Sequence, residues 1–189
     1  MKLEFNLWKK IKESNNYSDK DMRKIRYVYN AIFSDFSKIL IMGIVFFSLN
    51  HFPEYVGSII VLMFIRTNSG GLHFEHYIPC LLFSFLLIFC SSVLLPNLIF
   101  VDRLLIILDL IGCICISFLL EPIRCVYRPA PGKDLIKICH INTFKYIFIF
   151  LIISYVLPTN SVIISGFWTI NLQMLQLIAA NVLERRGYP

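Results

Sequence analysis

Ile78 to Phe100 reads IPCLLFSFLLIFCSSVLLPNLIF, 23 residues without a charged side chain. A helix rising about 1.5 Å per residue crosses the roughly 30 Å of a bilayer's hydrocarbon in about 20 residues, so this run is long enough to span it. Only a helix satisfies every backbone N–H and C=O inside such a single segment. Similar runs lie at Ile39 to Leu49, Val56 to Ile65, Leu104 to Leu120, Ile147 to Leu157 and Val162 to Leu183, separated by charged or turn-forming residues. The Ile78, Leu104 and Val162 runs suffice alone, while the other three must borrow flanking residues. With 57% hydrophobic content and a mean hydropathy of +0.70 over 189 residues, a water-soluble domain is excluded. The expected fold is all-α, a polytopic transmembrane bundle of about six crossings. Four crossings with the first pair re-entrant are the alternative.

The net charge of +6 is concentrated. Residues 1–38 carry nine Lys or Arg against five acids, residues 124–145 carry five against one, and residues 39–123 carry two against five. The positive-inside rule puts both basic segments in the cytoplasm, which needs an even number of crossings between them. Four runs lie there. Two more return Glu184, Arg185 and Arg186 to the same side, so both termini and the segment Arg66 to Tyr77 are expected to face inward. Leu3, Leu7, Trp8 and Ile11 recur at helical spacing beside Lys9, Lys10 and Lys12, which predicts an amphipathic interfacial helix in a cytoplasmic arm over 1–37. The bundle is expected over 38–183, and the whole of 1–189 as one integral membrane domain. No cleavable signal sequence is expected, because a long charged arm precedes the first apolar run. The six cysteines, at 80, 90, 113, 115, 125 and 139, lie in apolar runs or on the reducing side and form no disulfide framework. Cys90, Cys113 and Cys115 read as small hydrophobes between helices, the last two pointing apart.

Polar chemistry gathers in Arg66 to Cys80, RTNSGGLHFEHYIPC. Arg, Asn, Ser, two His, Glu and Cys close to lipid are costly unless they have partners or a task. On an unbroken helix His73 and Cys80 would sit about 10 Å apart. Pro79 favours a helix start there, and Gly70 and Gly71 allow the preceding segment to fold His73 back. A thiol in the first turn of a helix gains from the dipole and from unpaired N–H groups, and a neighbouring imidazole can take its proton. The pair then forms an activated nucleophile, with backbone N–H groups available to an oxyanion. Asn68, Ser69 and Glu75 are the candidates for orienting the imidazole or supporting the oxyanion. A packed thiol beside an interfacial histidine is the plain alternative. A zinc site of His73, His76 and Cys80 is a further one, weakened by Pro79 within the required helix and by HFEH in place of HExxH.

Following two crossings and a basic arm, the run SGGLHFEHYIPC resembles the accessory gene regulator B family, membrane cysteine endopeptidases that process a quorum-sensing pro-peptide. VYRPAPGKD, Val126 to Asp134, is similar to the family's Pro-Ala-Pro loop before a lysine, here Lys133. Phe74 departs from the small residue the family carries after its histidine, which bears on pocket shape. The resemblance covers nearly the whole chain. It implies His73 and Cys80 as the catalytic pair, no cofactor or metal, and no nucleic-acid partner. It implies a pro-peptide substrate with an internal cysteine and an acidic tail, cleaved through a thioester that closes to a thiolactone, in a bacterial cell membrane. A homodimer is also suggested by the family.

Arg124, Arg128, Lys133 and Lys137 are placed to attract an acidic tail, each worth under about 1 kcal/mol if exposed. Arg66 is a further substrate-contact candidate, although snorkelling from the end of the second crossing is its simpler role. Asp109, inside the fourth run, needs a partner or a cavity, with Arg66 or His140 as candidates. Asn171, Gln173 and Gln176 read as interhelical hydrogen bonds, and His51 and His76 as interfacial. The competing function is a small transporter or peptide exporter using Asp109.

Overall fold

A computed structural model describes residues 18–71, 76–122 and 133–185, and among these every regular element is helical. The elements are α1 (Asp19–Ser48), α2 (Phe52–Ser69), α3 (Tyr77–Phe89), a π-helical turn (Cys90–Leu94), α4 (Leu95–Leu98), α5 (Arg103–Leu119), α6 (Lys133–Val156) and α7 (Ser161–Arg185). The chain divides into two compact units, Met1–Met42 and Gly43–Pro189.

In the first unit the described residues form one helix. Ser18 caps it: its hydroxyl accepts from the Asp21 N–H at 3.2 Å and donates to the Asp21 carboxylate, a reciprocal capping arrangement. No break falls at residue 37, so the expected arm does not end there as a separate piece. Its second half is already the start of α1. Leu3, Leu7, Trp8 and Ile11 lie outside the described residues.

The second unit is a bundle around α7. Gly57 on α2 lies against Val162, and Ser165 Oγ donates to the Glu54 carbonyl at 3.2 Å, while further along Gln173 reaches Ser69 and Gly70. These contacts make α2 and α7 parallel. Asp109 with Asn171, and the Glu121 carbonyl with Asn181, make α5 parallel to α7 as well. By contrast α6 runs opposite, with Asn142 bonded to Asn68, Tyr146 against Phe64 and Phe150 against Gly166. Direction thus alternates along the chain, as it must if successive helices each cross one layer.

Side chains of α2, α5, α6 and α7 share one core, with Ile65, Ile106, Leu110, Ile147, Ile170 and Met174 each no more than 2% exposed. Small residues permit the close approaches: a Cβ on Gly166 would lie 2.7 Å from the Phe150 ring. In lipid, helices associate through such packing and through interhelical hydrogen bonds averaging about 0.6 kcal/mol, not through water exclusion. This explains the polar residues of α7: Ser165, Thr169 and Gln173 are fully buried because protein flanks the helix on several sides.

Among the described residues four helices are long and apolar enough to cross a membrane, over Val28–Ser48, Tyr77–Leu98, Asp134–Val156 and Ser161–Val182. The match with the apolar runs is uneven. The Leu104 run yields α5, which stops after 17 residues because Glu121 precedes Pro122 and is pushed out of helical backbone. Two of the three runs that looked short gain length by continuing into polar flanks, back to Asp134 in α6 and to Val28 in α1. α2 has 18 residues but carries Glu54 and Arg66. The described residues therefore hold six long helical stretches, of which α2 and α5 are the marginal ones.

The π-helical turn answers Pro96, which lacks the N–H that the Ser92 carbonyl would take and whose ring would crowd that carbonyl. The Leu95 N–H reaches back instead to Cys90. Widening also turns two successive hydroxyls inward. Ser92 Oγ lies 2.9 Å from Ser58 Oγ, and Ser91 Oγ donates to the Ile88 carbonyl at 3.0 Å.

Candidate functional site

α2 ends in a glycine corner. Gly70 has φ 75° and ψ −173°, backbone that residues with a Cβ rarely adopt. Its N–H donates to the Arg66 carbonyl at 3.0 Å, closing the helix, and its carbonyl accepts from Gln173 Nε2 at 2.7 Å and Ser69 Oγ at 3.3 Å. Gly71 serves a different need: a Cβ there would strike the Arg66 guanidinium. Arg66 therefore folds over the glycine backbone at the end of α2 and is half-buried.

Asn68 and Ser69 are both engaged. The Asn68 amide donates to the Phe64 carbonyl at 3.0 Å, and its oxygen accepts from Asn142 at 3.1 Å. The Ser69 hydroxyl accepts from Gln173 at 3.1 Å while donating to Gly70. Glu75 and the predicted catalytic His73 lie outside the described residues.

The chain re-enters the described structure at His76, which caps α3 with extended backbone. α3 begins at Tyr77, two residues earlier than the Pro79 start expected from sequence. Proline is tolerated throughout a helix's first turn, whose N–H groups have no intrahelical acceptor, so Pro79 does not have to mark the first residue. Cys80 is 6% exposed and its N–H makes the first bond of the helix, to the His76 carbonyl at 3.3 Å. Pro79 has no N–H and that of Cys80 is used, while the Ile78 N–H, in the first turn, has no acceptor within the helix. Cys80, Cys90, Cys113, Cys115 and Cys139 form no disulfides.

Ser58 and Ser92 face each other across antiparallel helices. Twelve residues onward along α2 is Gly70, and twelve back along α3 is Cys80. At 1.5 Å per residue both lie ~18 Å from the serine pair, so the thiol and the glycine corner share a level to within about one turn.

The expected basic loop over 124–145 is only partly a loop, since α6 begins at Lys133. Lys137 is exposed on its second turn, near the end of the bundle that holds the glycine corner, because Asn142 bonds Asn68. Arg124 and Arg128 lie outside the described residues, as does the Lys133 side chain.

Asp109 pairs with neither Arg66 nor His140. It accepts from Asn171 Nδ2 at 2.8 Å and lies 3.7 Å from Cys113 Sγ, on an open groove of about 350 Å³ between α5 and α7. His140 Nδ1 is instead 2.7 Å from the Ser117 carbonyl, its ring stacked on Phe118. Cys113 is buried and Cys115 exposed, so the two do point apart, but Cys115 is not packed between helices. His51 caps α2 with its ring 3.8 Å from Glu54. Gln173 and Asn171 both make interhelical bonds, yet the partners of Gln173 could not be read beforehand: a glutamine in an apolar helix signals that a partner exists, not where.

A family profile described as accessory gene regulator B matches residues 6–177. An AgrB-like protein of Clostridium beijerinckii is 31% identical over 175 residues, spanning 90% of this chain and 84% of the relative. No solved structure matches. A buried thiol at the head of a helix, level with a glycine corner and within a sequence matched over nearly its full length, leads to one assignment: the chain belongs to the accessory gene regulator B family.

Proposed function

We propose that this protein is a membrane-embedded cysteine endopeptidase that removes the C-terminal part of an autoinducing pro-peptide for quorum sensing. The observation that carries the reading is the seat of Cys80: buried, in the first turn of α3, level with the corner from which the His73 segment departs.

His73 takes the Cys80 proton, and the thiolate attacks a carbonyl at the C-terminal side of the signal portion. The tetrahedral oxyanion is met by the Ile78 N–H at the α3 N-terminus. Collapse breaks the C–N bond, the imidazolium protonates the leaving amine, and a thioester on Cys80 results. A cysteine within the bound peptide then attacks that thioester, Cys80 leaves with its proton restored, and a thiolactone closes. Thiol exchange is nearly balanced in free energy, so ring closure competes with hydrolysis where water is excluded, and the burial of Cys80 favours this. Lys137, with Arg124, Arg128 and Lys133 in the sequence before it, supplies positive charge for an acidic tail. In this reading the end of the bundle holding Cys80 faces the cytoplasm, as do both termini.

The test is co-expression with a pro-peptide bearing an internal cysteine and a tagged tail. Cys80→Ser and His73→Ala should each reduce tail release to background while the protein still inserts in the membrane. Release by either variant at the wild-type rate refutes the assignment.

A further inference from the structure

We infer that Gln173 is a positioning residue for the cleavage proposed above: from α7 it fixes the Ser69–Gly70 corner, and so the point from which the chain continues to His73. This inference rests on that reading of Cys80 and His73.

Gln173 is fully buried, and a primary amide in such a place is costly unless its hydrogens are taken. Both are: Nε2 donates to Ser69 Oγ at 3.1 Å and to the Gly70 carbonyl at 2.7 Å. Because a carbonyl can only accept, the NH2 end must be the one facing Gly70, so the amide's orientation follows from chemistry.

The location of these bonds matters more than their number. α2 and α7 are already held together elsewhere, by Gly57 on Val162 and by Ser165 on the Glu54 carbonyl. Gln173 acts where α2 has ended. The Gly70 N–H is bound to α2 through Arg66, whereas its carbonyl lies beyond the helix, and it is α7 that holds it. The two peptide groups flanking Gly70 are thereby fixed, and with them the φ of 75° and ψ of −173° that set the direction of the chain. His73 follows three residues later, and Cys80 sits level with this corner.

Adhesion alone does not account for a glutamine here. Its Oε1 is buried without a partner among the described residues, at a cost of about 1–3 kcal/mol that a leucine or methionine would avoid. The side chain serves through its donors, and both donors go to one corner.

The experiment uses the full chain in proteoliposomes, with the pro-peptide of the co-expression assay as substrate, comparing wild type, Gln173→Met, Ser69→Ala and Cys80→Ser. It reads kcat and KM for tail release, the thermal midpoint, and the pH profile of Cys80 alkylation by iodoacetamide, resolved by peptide mass spectrometry. Methionine matches glutamine in length but donates nothing. Gln173→Met should lower kcat by roughly 10- to 100-fold with KM within about twofold, since small misplacements of reacting groups cost that much. It should also lower the reactivity of Cys80 across that profile by roughly threefold or more, as an imidazole no longer held beside the thiol ceases to activate it. Ser69→Ala, which leaves α7 untouched, should shift the profile in the same direction by less.

A Gln173→Met protein with wild-type kcat and alkylation profile overturns the inference. So does one that loses activity and thermal stability together while its Cys80 profile stays put, because glue and not positioning would then be the role. If Gln173→Met does not fold, a wild-type profile in Ser69→Ala overturns it equally. Cleavage by Cys80→Ser would instead sink the protease reading itself, whereas an inert Cys80→Ser beside a fully active Gln173→Met sinks this inference alone.

Discussion

Replacing Gly70 by alanine tests the corner directly. The native φ of 75° with ψ of −173° lies in a region that a Cβ makes costly, by about 1–3 kcal/mol. Alanine can escape by rotating the peptide, but the Gly70 carbonyl then swings away from Gln173 at 2.7 Å and from Ser69 at 3.3 Å. That leaves one of the two buried Gln173 donors unmatched, at a similar cost of about 1–3 kcal/mol. The smaller loss decides which path the chain takes, so on the order of 2 kcal/mol is removed from the working arrangement by either route. At about 1.4 kcal/mol per decade this is a fall in turnover of roughly 30-fold. The assay is tail release at matched protein levels in isolated membranes, with Gly112→Ala as the control. Activity of Gly70→Ala within about twofold of wild type, at equal protein level, would refute the claim that corner geometry governs the site.

Two further outcomes follow from packing and polarity. Gly166→Ala forces a methyl against the buried Phe150 ring and should cost about 1–3 kcal/mol, seen as a lower thermal midpoint in detergent, whereas Gly112→Ala meets nothing within 4 Å and should cost none. Asp109→Asn keeps a partner for Asn171 and should leave tail release unchanged, since the groove it lines is built by α5 and α7 and not by the Cys80 corner; abolished release would favour a transport role for Asp109.

How much of this was legible in the chain differs from residue to residue. The run from Ile78 to Phe100 announces a crossing because hydrocarbon thickness converts into residue number, and α3 through α4 fills it as Tyr77–Leu98. Helix ends were less legible. Pro79 fits any position of a first turn, so the two residues before it joined α3, and Lys133 to Lys145 joined α6 because basic residues there are compatible with a helix as much as with a loop. The glycines, the cysteine and the histidine stood out as costly or unusual near lipid. Partners were the least legible, because hydrogen bonds such as Gln173 with Gly70 or Asp109 with Asn171 join residues 103 and 62 apart. Nothing local in the sequence encodes such a pairing. Asp109 shows the limit well: charge complementarity suggested Arg66 or His140, yet a neutral amide on α7 answers it.

The helix at the centre of the bundle is also the last of the described helices in chain order. Until α7 emerges, the Gly70 carbonyl lacks its holder, Asp109 lacks its amide, and the Glu121 carbonyl lacks Asn181. The earlier helices can insert as they are made, but their polar groups must wait in lipid for a keystone that follows all of them along the chain. A chain interrupted after α6 would therefore be a set of inserted helices with no holder for the Gly70 corner, so the arrangement beside Cys80 is withheld until α7 has been made.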